Sequence, residues 1–414
     1  MCEKHEISVN GEELAISNSS SKESALFPTY ARYPIALVKG EGSRLWDESG
    51  KEYLDFMSGL AVTNLGHAPK RVAEKLKAQL DTLWHVSNLF HIPQQEEVAQ
   101  LLTQHSGADA VFFCNSGAEA NEAAIKLARR YNQKILGNSR CEIITFHQSF
   151  HGRTLATLTA TGQAKVQEGF APLPEGFRYV PFNDIDSLKA TIGEQTCAIM
   201  LEIVQAEGGV HPIDPAFAKG VAELCQEHNL LLIIDEVQTG MGRTGRWFAH
   251  EHYGLQPDIF TVAKGLGSGF PVGAMLAKKQ LREAFGPGSH GSTFGGTPLA
   301  MAAVQGTLET HIEEKLAQRA ADMGTYLMAQ LHDKLGSLPI VKEIRGIGLL
   351  IGIECHTPIA ELVTEAQKEG LLVVTAGPNV IRLLPNLLVT QEDIQSAVGI
   401  LQKLLQNTAV VASS

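Results

Sequence analysis

LLLIIDEVQTGMGRTGRWFAHEHYGLQPDIFTVAKGLGSG, residues 230–269, decides how the rest of the chain is read. Its opening run of Leu and Ile is too short for an ordinary helix and apolar enough for a strand buried on both faces. The run ends in Asp235, at the carboxyl end of the strand, where open α/β sheets keep their ligands. A second apolar run, IFTVA, delivers Lys264 into a glycine-rich turn, KGLGSG. An acid and an amine thus stand at the tips of two buried strands.

That pairing fits a site for pyridoxal 5'-phosphate. Lys264 would bond to the cofactor aldehyde, and Asp235 would face the pyridine nitrogen and favour its protonated form. Read singly, the two residues leave blander roles open: a helix cap for Asp235, a solvated loop amine for Lys264. The surrounding sequence has to decide.

Working outward, strands and helices alternate. AVFFCN reads as a strand, SGAEANEAAIKLARRYN as a helix, CEIITF and CAIMLEIV as strands, and Pro215–His228 as a helix. This alternation predicts an α/β fold with a mainly parallel central sheet flanked by helices. ALVKGEGSRLWDESGKEYLDF alternates around a turn and predicts a β-meander, with helices to follow over 70–83 and 94–105. A long helix is expected from Leu299 to Leu335, then two short strands in VKEIRGIGLLIGIE. The division that follows is a mobile N-terminal tail over 1–25, a smaller α+β domain from 26–69 and 300–414, and a large domain over 70–299.

Composition narrows the partners. A net charge of −11 supplies no basic face for nucleic acid or an acidic membrane, and nothing approaches membrane-spanning length. The 6 cysteines show no metal-ligand or disulfide spacing, and the N-terminus lacks the apolar core of a signal peptide. A reducing cytoplasm is expected, with no metal.

DEVQTGMGRTG together with AKGLGSGFPVGA closely resembles the class III aminotransferases, a branch of the fold type I pyridoxal-phosphate enzymes, and the resemblance runs from about Tyr30 to Leu405. It implies a homodimer with shared active sites. Ser116, Gly117 and Ala118, opening a helix after a strand, match the SGAEAN motif that holds the cofactor phosphate; free N–H groups there make an anion cradle, although an ordinary serine cap predicts the same local sequence. Phe150 matches the aromatic that stacks on the ring, Val237 and Gln238 the residues on its opposite face and hydroxyl, and Glu202 a group near the same edge. Ser292 is placed near the substrate, and Thr293 is implied to reach the phosphate of the neighbouring subunit's site.

The resemblance also assigns the substrate. Arg153 matches a residue that holds a substrate carboxylate in the acetylornithine branch, and Arg382 one that takes the α-carboxylate of glutamate. Arg382 lies between apolar residues, so burial and a partner are expected; Glu207 supplies that partner in the family and would swing aside when glutamate arrives. Leu60, where ornithine aminotransferases carry an aromatic, leaves room for an N-acyl group. Ile203, Ala206 and Thr297 depart from the family's common Pro, Gly and Asn but leave the charged groups intact. The expected reaction moves the terminal amino group of N2-acetylornithine to 2-oxoglutarate, as in arginine biosynthesis. Succinylornithine, ornithine or 4-aminobutyrate as donor stays open, as does a non-catalytic cofactor-binding scaffold. A nicotinamide dehydrogenase is disfavoured because no GxGxxG opens the first βα unit.

Overall fold

Apolar runs flanked by turn residues become strands throughout a computed structural model that describes residues 24–412. The expected tail lies outside the described residues up to position 23. Residues 1–36 and 37–414 separate as two units; in the first, Arg32 stacks over the ring of Tyr30 at 5.8 Å.

In the second unit, the predicted meander is formed by β1 (Leu37–Glu41), β2 (Arg44–Asp47) and β3 (Glu52–Asp55). The central sheet is built from β4 (Ala110–Cys114), β5 (Glu142–Phe146), β6 (Phe177–Val180) and β7 (Thr196–Glu202). A short hairpin, β8 (Val204–Gln205) with β9 (His211–Pro212), precedes the last three strands of that sheet: β10 (Leu231–Asp235), β11 (Ile259–Val262) and β12 (Gly273–Ala277). The order across its 7 strands is β4-β12-β11-β10-β7-β5-β6. Only β12 runs against its neighbours, β11 and β4.

Every residue of β7, β10, β11 and β12 is buried, because helices cover both faces. Their continuous Ile, Leu, Val and Met runs, in place of alternation, are the imprint of that double cover. Each buried Leu or Ile contributes roughly 1.5–3 kcal/mol. The flanking helices begin where the sequence supplies caps. Ser116 accepts from the Glu119 N–H, and Asp214 accepts from the Ala216 and Phe217 N–H groups ahead of Pro215.

Four strands form the second sheet. They are β13 (Val341–Ile347), β14 (Leu350–Cys355), β16 (Val374–Thr375) and β17 (Val380–Leu383), in the order β13-β14-β17-β16; β15 (Leu371–Leu372) instead joins β3 in parallel. One buried cluster draws on Leu54, Phe56, Leu65 and Val72 and on residues from Ala303 to Leu405. The stretch from Leu54 to Val72 thus shares a core with the C-terminal region. The helix over 298–313 serves both cores, through Met301 and Val304 on one and Ala303 on the other.

Two helical expectations need correction. The single long helix is two, Pro298–Glu313 and Leu316–Leu335, separated at Lys315, whose φ of 48° is left-handed. The helix expected over 70–83 ends at Leu80.

Candidate active site

At the carboxyl ends of β7, β10 and β11 three functional side chains meet. In the parallel register Asp235 stands opposite Glu202 on one side and Thr261 on the other, and Lys264 follows β11 directly. Lys264 has φ 42°, a strained conformation for a lysine, held by the tight KGL turn. Gly265 is obligatory there, since a Cβ would sit 2.2 Å from the Asn64 amide nitrogen. Burial pushes the Lys264 ammonium pKa below its ordinary value, and the Glu207 carboxylate pulls it the other way. An amine so placed gives up its proton more readily than a surface lysine.

Asp235 is buried and met by three donors. Asn121 Nδ2 donates to its Oδ2 at 2.7 Å, His151 Nδ1 lies 2.8 Å from the same oxygen, and the Val237 N–H donates to Oδ1 at 3.0 Å. Asn121 is itself fixed, accepting from Thr261 Oγ1 at 2.7 Å and donating to the His151 carbonyl at 2.8 Å. Glu202 has one donor, the Phe150 N–H at 3.0 Å. Burial, and then the charge on Asp235, push the Glu202 carboxyl well above its usual pKa.

A cavity of about 450 Å³ opens over these groups. Ser116, Gly117, Ala118, Phe150, Arg153, Glu202, Asp235, Val237, Gln238 and Lys264 border it, so most of the residues expected from the sequence converge on one space. Gly117 and Ala118 lie in the first turn of a 14-residue helix, where N–H groups lack intrahelical acceptors. Gly117 packs against Val237: a Cβ there would stand 2.7 Å from Val237 Cγ1. A helix N-terminus for a phosphate, an amine for an aldehyde, an acid for a ring nitrogen and a phenylalanine beside them together fit pyridoxal phosphate.

Beyond Gln238 the site continues into a buried ion pair. Arg382 on β17 is 1% exposed and grips Glu207 bidentately, Nη1 to Oε1 at 2.7 Å and Nη2 to Oε2 at 3.0 Å. Gln238 joins both, accepting from Arg382 Nη1 at 3.1 Å and donating to Glu207 Oε1 at 3.2 Å. Burial alone would raise the Glu207 carboxyl; the Arg382 guanidinium overrides it and holds the pKa below the ordinary value. Arg382 Nε has no partner. Arg153 differs: it is exposed at the cavity rim and lies over the Phe150 ring at 5.6 Å.

Some expected residues stand apart. Ser292 does not border the cavity but accepts from Asn115 Nδ2 at 3.1 Å, next to the helix start. Thr293 is exposed and outside the lining, and so is Leu60, where Val62 borders the space instead. Sequence reading missed Asn121 and His151, the donors to Asp235. A signal existed: Asn121 is a buried amide on a helix face otherwise filled by Ala120, Ala123 and Ala124, and His151 is a buried polar ring. Among the described residues no cluster could hold a metal and no helix is long and apolar enough to cross a membrane.

The family model described as aminotransferase class-III matches residues 27–405. Acetylornithine aminotransferase of Bacillus subtilis is 55% identical, over 94% of this chain and 99% of its own. That of Halalkalibacterium halodurans is 57% identical, over 94% of this chain and 100% of its own. The ornithine aminotransferase of Toxoplasma gondii, described with pyridoxal phosphate at its active site, superposes with a TM-score of 0.90 at 31% identity, covering 94% of each chain. With the amine, the acid and the anion cradle in one cavity and a match spanning nearly its whole length, the chain belongs to the class-III aminotransferases.

Proposed function

We propose that the chain is a pyridoxal-phosphate aminotransferase that moves the terminal amino group of N2-acetylornithine to 2-oxoglutarate, giving N-acetylglutamate 5-semialdehyde and glutamate. The observation that carries it is the buried Arg382–Glu207 pair, joined through Gln238 to a cavity with Lys264 on its wall. The acetylornithine aminotransferases at 55% and 57% identity support the choice of donor.

When bound, the cofactor supplies an electron-withdrawing ring that stabilises negative charge at the donor carbon. In the proposed mechanism Asp235, fixed by Asn121 and His151, would face the ring nitrogen. Ser116, Gly117 and Ala118, at the helix start, would hold the phosphate, and Phe150, Val237 and Glu202, which line the same cavity, would flank the ring. Lys264 Nζ would accept the proton from the carbon bearing the donor's amino group and, as the conjugate acid, give that proton up again to the cofactor. Arg153 would hold a donor carboxylate, and Ser292 is proposed to take part in substrate binding from beside Asn115. While Glu207 masks Arg382, a long donor is directed to present its far amine; when glutamate binds, Glu207 leaves and Arg382 takes the α-carboxylate.

The proposal includes a homodimer in which Thr293 completes the neighbouring site. In support, the exposed Trp84, Leu89 and Phe90 lie on a segment tied to the Thr293 loop, with Asn88 Nδ2 donating to the Ser292 and Gly295 carbonyls. A smaller domain from 26–69 and 300–414 against a larger one over 70–299 is likewise proposed. So is a cytoplasmic location, in keeping with the 5 described cysteines, all free.

Half-reactions with acetylornithine, succinylornithine, ornithine, 4-aminobutyrate and glutamate, followed by cofactor absorbance, test the reading. Acetylornithine and glutamate should each change the spectrum fastest. A spectrum unmoved by every amine would point to a non-catalytic scaffold, and a preference for free ornithine would replace the donor.

A further inference from the structure

The loop that carries Glu207 is held at both ends by the second sheet. In that sheet Arg345 of β13 pairs with Gly352 of β14, and Gly352 pairs with Arg382 of β17. Residues directly opposite in a ladder share a face. Arg345 and Arg382 therefore flank Gly352 in one row, on the side where the loop over 207–210 lies.

Arg382 grips the Glu207 side chain, whereas Arg345 grips the backbone beyond it. Arg345 Nε donates to the Val210 carbonyl at 2.9 Å and Nη2 donates to the Gly209 carbonyl at 2.6 Å. Its Nη1 is anchored by Glu343 at 2.6 Å and Glu354 at 2.5 Å. Between the two arginines Val210 fills the space that Gly352 leaves: a Cβ on Gly352 would stand 2.9 Å from Val210 Cβ. Val210 is fully buried and adopts φ 56°, a left-handed conformation that β-branched residues avoid. Such a backbone persists only where its surroundings over-determine it, and the Arg345 fork is part of those surroundings.

We propose that Arg345 is a positioning residue for the substrate gate: by holding the Gly209 and Val210 carbonyls it fixes the loop, so that Glu207 releases Arg382 by side-chain rotation and returns to the same geometry. This rests on the gate reading given above. With the clamp gone, Glu207 meets Arg382 less often. Glutamate then faces less competition for the guanidinium, while acetylornithine more often docks its α-carboxylate in the wrong place.

The test is the ratio of kcat/KM for the glutamate half-reaction to that for acetylornithine, measured on the holoenzyme. Arg345→Met should raise the ratio about tenfold, the scale of a lost charge-assisted hydrogen bond. Glu207→Ala should raise it at least as far, and the double variant should add nothing. An unchanged ratio in Arg345→Met, or an equal fall in both half-reactions, with the ratio shifted in Glu207→Ala, overturns the proposal and leaves the gate standing. No shift in Glu207→Ala overturns the gate and the proposal with it. Should Arg345→Met not fold, Arg345→Lys, which keeps a cation beside Glu343 and Glu354 but loses the fork onto the Gly209 and Val210 carbonyls, is judged by the same outcomes.

Discussion

The cofactor half of the candidate site and its gate half are built on opposite plans. The first is drawn from adjacent strand tips of one sheet, with Asp235, Glu202 and Thr261 in register and the donors to Asp235 locked by further hydrogen bonds. The second joins Glu207 on a loop to Arg382 on another sheet, 175 positions apart in sequence, through an ion pair with one guanidinium nitrogen unpartnered. A fixed template suits a group that stays through every turnover. A releasable pair suits two substrates that come in turn. Changes in the first half should therefore hurt both half-reactions alike, and changes in the second should divide them.

The largest effect is expected at Lys264. Lys264→Ala should lower both half-reactions by roughly 10⁴-fold, the upper range for loss of a general acid–base group, and single-turnover absorbance with each substrate would measure it. Unequal losses would mean that the amine also serves the gate. Arg382→Ala should cost the glutamate half about 10²-fold, as for truncation of one partner of a buried charge pair, and leave the acetylornithine half far less affected. Equal losses in the two kcat/KM values would erase the distinction between the halves. Asn121→Ala removes one charge-assisted bond to Asp235 and should slow both halves about tenfold, with no change in their ratio.

The smallest effect is in acid. The folded Glu207 carboxyl has its pKa below the ordinary value, so its stabilisation is present above the unfolded value of about 4.3 and is lost as pH falls through the folded one. Glu207→Gln should flatten the acid limb of the unfolding midpoint against pH. A limb unchanged from the parent would show that the pair contributes nothing to folding.

The same contrast governs how much could be read from the residues. The strand tips announced themselves, because an apolar run closed by Asp235 or by Lys264 leaves few other readings once DEVQTG and KGLGSG surround it. The cap at Ser116 was equally open to local reasoning. Asn121 and His151 were not, since their role depends on which strand packs behind them. The break at Lys315 escaped because no Pro or Gly marks it; the helical spacing of Leu308, Ile312 and Leu316 runs on across Lys315 while the backbone turns left-handed there. The Glu207–Arg382 contact came only from family resemblance. Periodicity cannot bring a loop and a distant strand together, and the Arg345 row needed the sheet register before it could be seen at all.

The contact between Gly117 and Val237 has one more consequence. Since no methyl group fits between them, the start of the helix and the wall beside the ring cannot shift independently. A flat guest anchored by its anionic tail is then keyed to enter one way up, with a single face turned to the amine. Hydrogen exchange with solvent would follow that handedness, so in deuterated solvent only one of the two hydrogens on the donor's amine-bearing carbon should be replaced.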